Sequence, residues 1–503
     1  MNPIKTAKDQ YDEYSRKMQK IADVRNAAAM MEWDMETYLP EKGNDIRGKQ
    51  LATLRGIAHE WFAEDTLGEL LLSLSESDGL DEIQHKNILR TKEDYDKNKK
   101  YTPEFIQELS MTTSGCYHAW IKARKENNYT TFEPLLNKMI ALKKKEAGLL
   151  GYRDHPYDAL VNDFEKGAHV KMLDVIFKDV RKELKTFLEK ILTTHTADNK
   201  VLYQHFDKNK QWEFGLTVLK NMGFDFSSGR QDISEHPFTT SFNSHDVRIT
   251  TRIDENDFAN MLWSCIHEGG HALYEQGLPA TQYGLPCGEA ASLAIHESQS
   301  RFWENNIGRS LAFWKHFYPE LQKQFPEQFR QVALRGFYRA INKVQPSLIR
   351  TEADEITYHF HIMIRYELEK RLIGGELHTK DIREAWNEMY LQYLDIKVPD
   401  DKSGALQDIH WCHGSFGYFP TYSLGSFYAA QFFHQADQAL PGLRNKIESG
   451  DLKAILHWLR ENIHQYGRMY EANELCEKVT GEKLDFKYFM NYVKEKYKEI
   501  YDL

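Results

Sequence analysis

The chain has 503 residues, of which 41% are hydrophobic and 28% are charged, and these proportions are ordinary for a soluble globular protein. Its formal net charge of −10, without a strongly basic cluster, argues against a nucleic-acid-binding surface. No apolar run approaches the roughly 18–20 residues that a membrane span needs, so we expect no membrane partner either.

The cysteines and the N-terminal segment indicate in which cellular compartment the protein is expected. Five cysteines are scattered along the chain without a C-x-x-C pair, so the sequence predicts neither a disulfide framework nor a thiolate zinc site. Cys265 is expected to be a small buried apolar residue. The segment Met1–Asp9 lacks the apolar core of a signal peptide. We therefore expect a cytoplasmic protein in a reducing environment.

Helical spacing of apolar residues dominates the first 220 positions. The predicted helices cover residues 6–36, 44–62, 65–76, 82–98, 103–126, 130–149 and 169–195, and the helical pattern returns over 427–440 and 443–499. Thr102 and Pro103 form an N-cap and first-turn pair, whereas Asp154–Tyr157 predicts a turn. No repeat, low-complexity stretch or linker divides the chain, so residues 1–503 are predicted to form a single domain.

The amino-acid composition changes near residue 224, where Ser, Thr, Phe and Gly become frequent. Thr239–Phe242 and Val247–Ile253 are predicted to be short strands joined by a turn at residues 243–246. An edge strand here could hold an extended peptide by main-chain hydrogen bonds. Asp254 is a plausible N-cap for the helix that follows.

That helix carries the motif H-E-x-x-H, formed by His267, Glu268 and His271. Histidines at i and i+4 share one face of a helix, where they can bind one Zn²⁺ at about 2.0–2.1 Å. Glu268 would lie beside the metal and could take a proton from water. Gly269 and Gly270 each destabilise a helix interior by roughly 1 kcal/mol relative to Ala, which indicates that a neighbouring backbone or a substrate must come close.

A catalytic zinc needs a third protein ligand. The extended motif with a third histidine is absent, because Tyr274 stands where its glycine would be. The helix-like segment 288–301 offers two glutamates. Glu297, 26 residues after the second histidine, leaves room for a loop and a returning helix, whereas Glu289 at the helix start would only complement the helix dipole. We therefore favour Glu297, and we expect His296 to contact the ligands or the substrate.

Five short motifs occur in order along the chain. They are Asp246–Thr250 (D-x-R-x-T), His267–His271 (H-E-x-x-H), His296–Ser298 (H-E-S), Ile349–Asp354 (I-R-x-x-A-D) and Gly404–Trp411 (G-x-x-Q-D-x-H-W). With these motifs the sequence resembles the carboxypeptidase Taq family of metallocarboxypeptidases. All five match without a substitution, and the resemblance covers essentially the whole chain.

The resemblance implies a mainly α fold, a large helical metallopeptidase with two helical lobes around a long substrate groove and a small β-sheet beside the H-E-x-x-H helix. It implies His267, His271 and Glu297 as ligands of one Zn²⁺ per chain, which Co²⁺ can replace. It also implies a homodimer that releases single residues from peptides with a free C-terminus, with broad preference and a block at proline. Arg301 departs from more distant helical peptidases, which place an acidic residue at that position.

A carboxypeptidase must also recognise the free carboxylate of its substrate, and the planar fork of an arginine suits this task. Arg350 lies in a helix-like stretch from Pro346 to Arg371, with Asp354 one turn later. An i,i+4 ion pair is the alternative interpretation, and the resemblance favours the carboxylate role. Arg248 is a second substrate-binding candidate, for which a structural ion pair is the alternative.

Residues 404–425 are rich in Gly and aromatic residues, a composition typical of a functional loop. Amide hydrolysis passes through an oxyanion that needs hydrogen-bond donors. We select His410 and Tyr422 as catalytic residues for this purpose, with His413 and Tyr418 as alternates that spacing cannot rank.

The predicted mechanism combines these residues. Zinc polarises the scissile carbonyl, Glu268 deprotonates water and later protonates the leaving amine, and Arg350 anchors the terminal carboxylate. A metallo-endopeptidase or oligopeptidase with the same zinc chemistry is one alternative. A peptide-binding scaffold with a structural metal is another, although such a site prefers four protein ligands and we find three candidates.

Overall fold

The computed structural model describes residues 6–194 and 197–503 and shows a mainly helical protein with one small sheet. The helices before the sheet are α1 (Ala7–Thr37), α2 (Asn44–Phe62), α3 (Asp65–Ser75), α4 (Glu82–Asn98), α5 (Pro103–Glu126), α6 (Glu133–Leu150), α7 (Pro156–Phe164), α8 (Val170–Leu192) and α9 (Lys208–Met222). Met1–Lys5 of the segment assessed for a signal peptide, and His195 at the end of a predicted helix, lie outside the described residues.

The sheet and the second group of helices follow. The strands are β1 (Gly229–Ile233), β2 (Thr239–Asn243) and β3 (Asp246–Thr251). The later helices are α10 (Phe258–Glu275), α11 (Leu293–Arg301), α12 (Leu311–Gln324), α13 (Pro326–Phe329), α14 (Leu334–Ile341), α15 (Tyr358–Gly374), α16 (Ile382–Leu394), α17 (Phe419–Ala439), α18 (Leu443–Ser449), α19 (Leu452–Asn462), α20 (Ala472–Thr480) and α21 (Lys487–Tyr501). The predicted mainly α class with a small sheet is confirmed.

The predicted helices of the first half correspond to α1–α6 and α8, with ends that agree within a few residues. Thr102 caps α5 as expected, because its Oγ1 accepts a hydrogen bond from Phe105 N at 3.2 Å. The predicted turn at 154–157 instead opens α7. His155 Nδ1 accepts from Tyr157 N at 3.1 Å, and Pro156 occupies the first helical position, where its missing N–H is no loss.

The sheet has the order β1-β3-β2, with β1 parallel and β2 antiparallel to β3. Both predicted strands are present, and β1 was missed because its sequence Gly-Arg-Gln-Asp-Ile has no alternating apolar pattern. The predicted N-cap at Asp254 is wrong. Asp254 closes a turn through Asn256 N at 2.8 Å, and Asp257 caps α10 through Ala259 N at 3.0 Å.

Two groups of buried apolar side chains stabilise the fold. The larger one extends from Cys116 to Tyr501 and includes the apolar face of α10, where Cys265 is fully buried as expected. The smaller one joins α1 to α4 and includes Leu285. Within the described residues, the helices lack the length and apolar character of a membrane span. Helix α10 lies between α9, α11 and the sheet, and α11 packs along α17.

Candidate metal centre

Three side chains from α10 and α11 converge on one point. Nε2 of His267 and Nε2 of His271 lie 3.6 Å and 3.5 Å from Oε2 of Glu297, and the three ligand atoms lie within 4.8 Å of one another. Ligand atoms held tetrahedrally at about 2.0–2.1 Å from zinc are ~3.3–3.4 Å apart. The two imidazoles and the carboxylate therefore fit a catalytic zinc site with one open position.

The alternative ligand, Glu289, does not join this group. It lies in extended backbone before α11, with Oε2 3.7 Å from Nη1 of Arg468, and α11 itself begins later, at Leu293, with Ser292 as its N-cap. The prediction that Glu289 complements the dipole of this helix is therefore wrong, because the helix starts four residues further on.

Glycines let α10 approach its neighbours closely. A Cβ added to Gly270 would lie 2.7 Å from the carbonyl oxygen of Gln299 and from Cα of Ser300, both in the backbone of α11. A Cβ on Gly269 would lie 2.6 Å from a methyl group of Leu219 in α9. The close neighbour that the two glycines indicated is thus the protein itself, which explains why the motif tolerates two poor helix formers.

A third glycine has the same effect on the opposite side of α11. A Cβ on Gly425 of α17 would lie 2.6 Å from Cγ and 2.7 Å from Cβ of Glu297. The side chain of Glu297 is therefore confined between α10 and α17. Sequence reasoning missed Gly425, although its position in the Gly-rich stretch after residue 404 was a signal of close packing.

Behind the candidate ligands lies a network of charged side chains. Oε2 of Glu304 is 2.9 Å from Nδ1 of His267, so this carboxylate orients the imidazole with Nε2 towards the other two ligands. Glu304 lies in the π-helical segment Phe302–Gly308, which directly continues α11. Sequence reasoning did not identify Glu304.

Arginines complete this network and account for the departure noted at Arg301. Nε of Arg301 donates to Oε1 of Glu297 at 2.7 Å, and its Nη1 donates to Oε2 of Glu304 at 3.2 Å. Arg309 donates to the other oxygen of Glu304 at 3.0 Å. Both carboxylates are buried, which by itself raises their pKa. Arg301, together with the histidines and, for Glu304, Arg309, outweighs burial and holds both pKa values far below the ordinary range.

The two histidines differ in their electrostatic surroundings. Burial, together with the nearby imidazole of His296, lowers the pKa of His271 to about 3, so its lone pair is available at neutral pH. Burial also lowers the pKa of His267, but Glu297 and Glu304 outweigh it and raise the net value. His296 stacks on His271 with ring centroids 4.3 Å apart, and its Nε2 contacts Oε1 of Glu275 at 2.9 Å.

Glu268 lies on the same helix and is directed at the sheet. Its Oε2 accepts a hydrogen bond of 2.6 Å from Oγ1 of Thr239, a residue of the edge strand β2. Burial raises the pKa of Glu268 above its ordinary value. A buried carboxylate held by one hydroxyl is suited to accept a proton. Thr239 was predicted only as part of a strand.

Arg350 is buried, but its surroundings differ from the prediction. Arg350 belongs to a single turn at Arg350–Glu352, and the following helix begins only at Tyr358. Asp354 does not pair with it, because its carboxylate accepts hydrogen bonds from the backbone of Gln345, Ile356 and Thr357 instead. The predicted helix is therefore wrong for residues 346–357 and confirmed from Tyr358 onwards, and the alternative i,i+4 ion pair is wrong.

The partner of Arg350 is Asp408 of the fifth motif. Nε of Arg350 donates to Oδ1 of Asp408 at 2.9 Å, and Nη1 makes a long contact of 3.4 Å with Oη of Tyr358. Tyr358 in turn lies under the guanidinium of Arg301, 4.7 Å from the ring centroid. Since Arg301 binds Glu297, a short chain of contacts connects Arg350 to the candidate metal ligands.

His410 and Tyr422 are neighbours, with Nε2 of His410 3.2 Å from the hydroxyl of Tyr422. Tyr422 lies 5.1 Å from Arg350, measured from ring centroid to guanidinium carbon. Burial makes the largest contribution and the positive charge of Arg350 the next largest, and together they lower the pKa of His410 to about 3, so the imidazole is neutral. The predicted loop ends early, because α17 begins at Phe419 and carries Tyr422 on its first turn.

The two alternates differ in the aromatic rings that they contact. Tyr418 packs against the ring of Tyr422 at 5.2 Å and remains close to the site. His413 stacks on Tyr117 of α5, with ring centroids 5.7 Å apart. The geometry thus favours Tyr418 over His413 as an additional donor.

Arg248 lies on β3 and pairs with a neighbour on the same strand. Its Nε and Nη2 donate to Asp246 at 2.9 Å and 3.0 Å, and its guanidinium covers the ring of Trp33 at 4.4 Å. These contacts correspond to the structural ion pair that was the alternative for this residue.

A cleft of about 1310 Å³ opens beside His296, and its lining includes Glu275 and His296 but none of the three candidate ligands. Its walls carry charged residues of both signs, many of them in ion pairs. Arg468 donates two hydrogen bonds to the carboxylate of Asp94, at 2.6 Å and 2.9 Å, and Lys97 forms an ion pair with Asp163 at 2.7 Å. The cleft is large enough for several residues of an extended peptide.

Comparison with known proteins agrees with this geometry. The model of the family described as carboxypeptidase Taq (M32) metallopeptidase matches residues 13–497. Carboxypeptidase 1 of Bacillus subtilis is 37% identical over 96% of this chain and 97% of its own length, and thermostable carboxypeptidase 1 of Thermus thermophilus is 38% identical with the same coverage. The crystal structure of an M32 carboxypeptidase from Deinococcus radiodurans is 36% identical, has a TM-score of 0.96, and covers 98% of this chain and 100% of that chain. The chain therefore belongs to the carboxypeptidase Taq (M32) family and is a metallocarboxypeptidase.

Proposed function

We propose that this enzyme is a zinc carboxypeptidase that releases single C-terminal residues from peptides with broad specificity. The observation that carries the proposal is the chain of contacts, through Tyr358 and Arg301, that connects Arg350 to Glu297 of the three-ligand site. Asp408 occupies Nε of Arg350, and the Nη1–Nη2 edge, where Nη1 makes only the long contact of 3.4 Å with Tyr358, is left for a carboxylate. A substrate whose terminal carboxylate binds that edge presents its last peptide bond to the ligand site.

Different residues of the chain carry out the different steps of hydrolysis. A bound zinc ion would polarise the scissile carbonyl and make a water molecule more acidic. Glu268 takes the proton from the attacking water and later passes it to the leaving amine. Tyr422, hydrogen-bonded to His410, donates to the oxyanion that develops on the carbonyl. The outer edge of β2, beside Glu268, holds the peptide backbone of the substrate.

The proposal is tested by incubating the zinc-loaded enzyme with a peptide and with its C-terminally amidated form. Mass spectrometry should show stepwise loss of single residues from the free acid and an intact amide. Internal cleavage of both peptides would instead indicate a metallo-endopeptidase. Metal analysis of the same sample should give one zinc per chain.

Replacement of Arg350 should separate substrate recognition from chemistry. We expect Arg350→Ala to raise KM for free-acid peptides by about 10²-fold, since a charge-assisted bidentate pair is lost. The metal content should not change, because Arg350 contacts none of the candidate ligands. Arg248→Ala is the matched comparison, and it should leave KM within about twofold of the wild-type value if Arg248 forms a structural ion pair. A larger effect at Arg248 than at Arg350 would reverse the assignment.

Glu304 should tune the affinity of the site for zinc. We expect Glu304→Gln to weaken zinc binding by about 10–100-fold, since the carboxylate no longer holds Nδ1–H of His267. The measurement is competition with a chromophoric chelator at fixed pH. Glu320→Gln, on the exposed face of α12, serves as the control. Wild-type affinity in the Glu304 variant would show that His267 is oriented by other groups.

Four features that the sequence predicted remain proposals. We propose that the chain folds as one domain with two lobes, assembles as a homodimer, works in the cytoplasm and accepts Co²⁺ in place of Zn²⁺. Sedimentation at several concentrations tests the dimer. The five cysteines, all buried and free of disulfides, are consistent with a reducing compartment.

A further inference from the structure

Asp408 lies at the centre of a buried cluster of charges. One of its carboxylate oxygens accepts from Nε of Arg350 at 2.9 Å, and the other accepts from Nε of Arg365 at 2.6 Å. The side chains of Arg350 and Asp408 are each 10% exposed, and that of Arg365 is fully buried. Two guanidinium groups thus face one carboxylate, which leaves the cluster with one surplus positive charge.

Arg365 is fixed from several directions and is not available to a ligand. Its Nη1 donates to the carbonyl oxygen of His361 at 2.9 Å, and its Nη2 donates to Oε1 of Gln407 at 3.0 Å. Its guanidinium also covers the ring of Trp386 at 4.5 Å. Arg365 therefore holds Asp408 in place through Oδ2. The other carboxylate oxygen, Oδ1, then determines where Nε of Arg350 can lie.

The orientation of Arg350 matters because its guanidinium is planar. A carboxylate binds the Nη1–Nη2 edge with two parallel hydrogen bonds only if that edge faces it. A long side chain without a partner would sample several rotamers and lose this alignment. We propose that Asp408 is a positioning residue that presents the Nη1–Nη2 edge of Arg350 to the terminal carboxylate of the substrate. This inference rests on the proposed role of Arg350.

Positioning and simple electrostatics predict opposite results when the charge of Asp408 is removed. Asp408→Asn leaves two uncompensated guanidinium groups, which would attract an anionic substrate more strongly. If Asp408 positions Arg350, the same change releases Nε and weakens binding of the carboxylate. The sign of the effect on KM therefore distinguishes the two roles.

The experiment compares Asp408→Asn, Asp408→Glu and wild type, all loaded with zinc. We expect KM for a free-acid peptide to rise about tenfold or more in both variants, with kcat within about threefold of wild type. Calorimetry with 3-phenylpropanoate should show the same loss of affinity, whereas 3-phenylpropanamide should bind all three proteins equally. Asp401→Asn is the control, because Asp401 lies in the same segment and pairs with the half-exposed Arg383 at 2.9 Å.

Each outcome of this experiment either supports or contradicts the positioning role of Asp408. An unchanged or lower KM in Asp408→Asn would overturn the inference. A fall in kcat at constant KM would also overturn it and would indicate that Asp408 acts through His410, whose Nδ1 lies 4.0 Å from Oδ1 of Asp408. If Asp408→Asn does not fold, Asp408→Glu decides alone, since it keeps the charge but moves the carboxylate. A wild-type enzyme that releases no terminal residue contradicts the proposed function, and the affinity for 3-phenylpropanoate then still tests Asp408.

Discussion

Glu268→Gln should retain zinc and lose nearly all turnover. The amide side chain keeps the shape of Glu268 and its contact with Thr239 Oγ1, but it cannot accept a proton from water. Removal of a general base lowers kcat by about 10²–10⁴-fold. Steady-state kinetics on a free-acid peptide, together with metal analysis, provide the measurement.

The control for this variant is Glu213→Gln, on the exposed face of the adjacent α9. It should have wild-type kcat and zinc content. Binding of 3-phenylpropanoate to Glu268→Gln should also be unchanged, since Arg350 is intact. Turnover of the Glu268 variant near the wild-type rate would mean that another group accepts the proton, and the proposed mechanism would have to be abandoned.

Gly270→Ala should destabilise the protein and disturb the metal centre together. The added methyl group would lie 2.7 Å from backbone atoms of Gln299 and Ser300, and backbone atoms cannot turn aside as a flexible side chain can. Overpacking of this kind lowers the free energy of unfolding by about 1–3 kcal/mol. Since α11 carries Glu297, its displacement from α10 should also weaken zinc binding. Thermal unfolding of the metal-free protein and chelator competition measure the two effects separately.

Gly56→Ala provides a matched control. Gly56 lies in α2, and a Cβ there would meet nothing within 4 Å. The same substitution should therefore leave stability unchanged or raise it by up to about 1 kcal/mol, through better helix propensity and a less flexible unfolded chain. If Gly270→Ala were as stable as Gly56→Ala and bound zinc normally, α10 and α11 could separate more easily than their contact suggests.

The parts of the site that the sequence predicted are those encoded by local spacing. An i,i+4 pair lies on one helix face by geometry alone, which placed His267 and His271 together without knowledge of the fold. Glu297 required a returning helix, and the length of the intervening segment was enough to suggest one. The ends of the long helices were equally predictable, because caps such as Thr102 act within one turn.

The parts that the sequence did not predict depend on contacts between distant segments. Asp408 pairs with two arginines that lie 58 and 43 residues away, and no periodicity records such a contact. Glu304 owes its position to a π-helical segment that the apolar pattern does not reveal. Strand β1 has few apolar residues, because its stability comes from pairing with β3 rather than from a buried face of its own.

The backbone contact between α10 and α11 also bears on which ions the centre can select. Because no side chain separates the two helices at Gly270, the distance between the ligand atoms cannot adjust freely to the size of an ion. Separations of 3.5–3.6 Å between nitrogen and oxygen correspond to tetrahedral bonds of about 2.1–2.2 Å. Ca²⁺ requires six to eight oxygen ligands at roughly 2.3–2.6 Å. We therefore expect the helix spacing to favour small divalent ions of the zinc type over calcium.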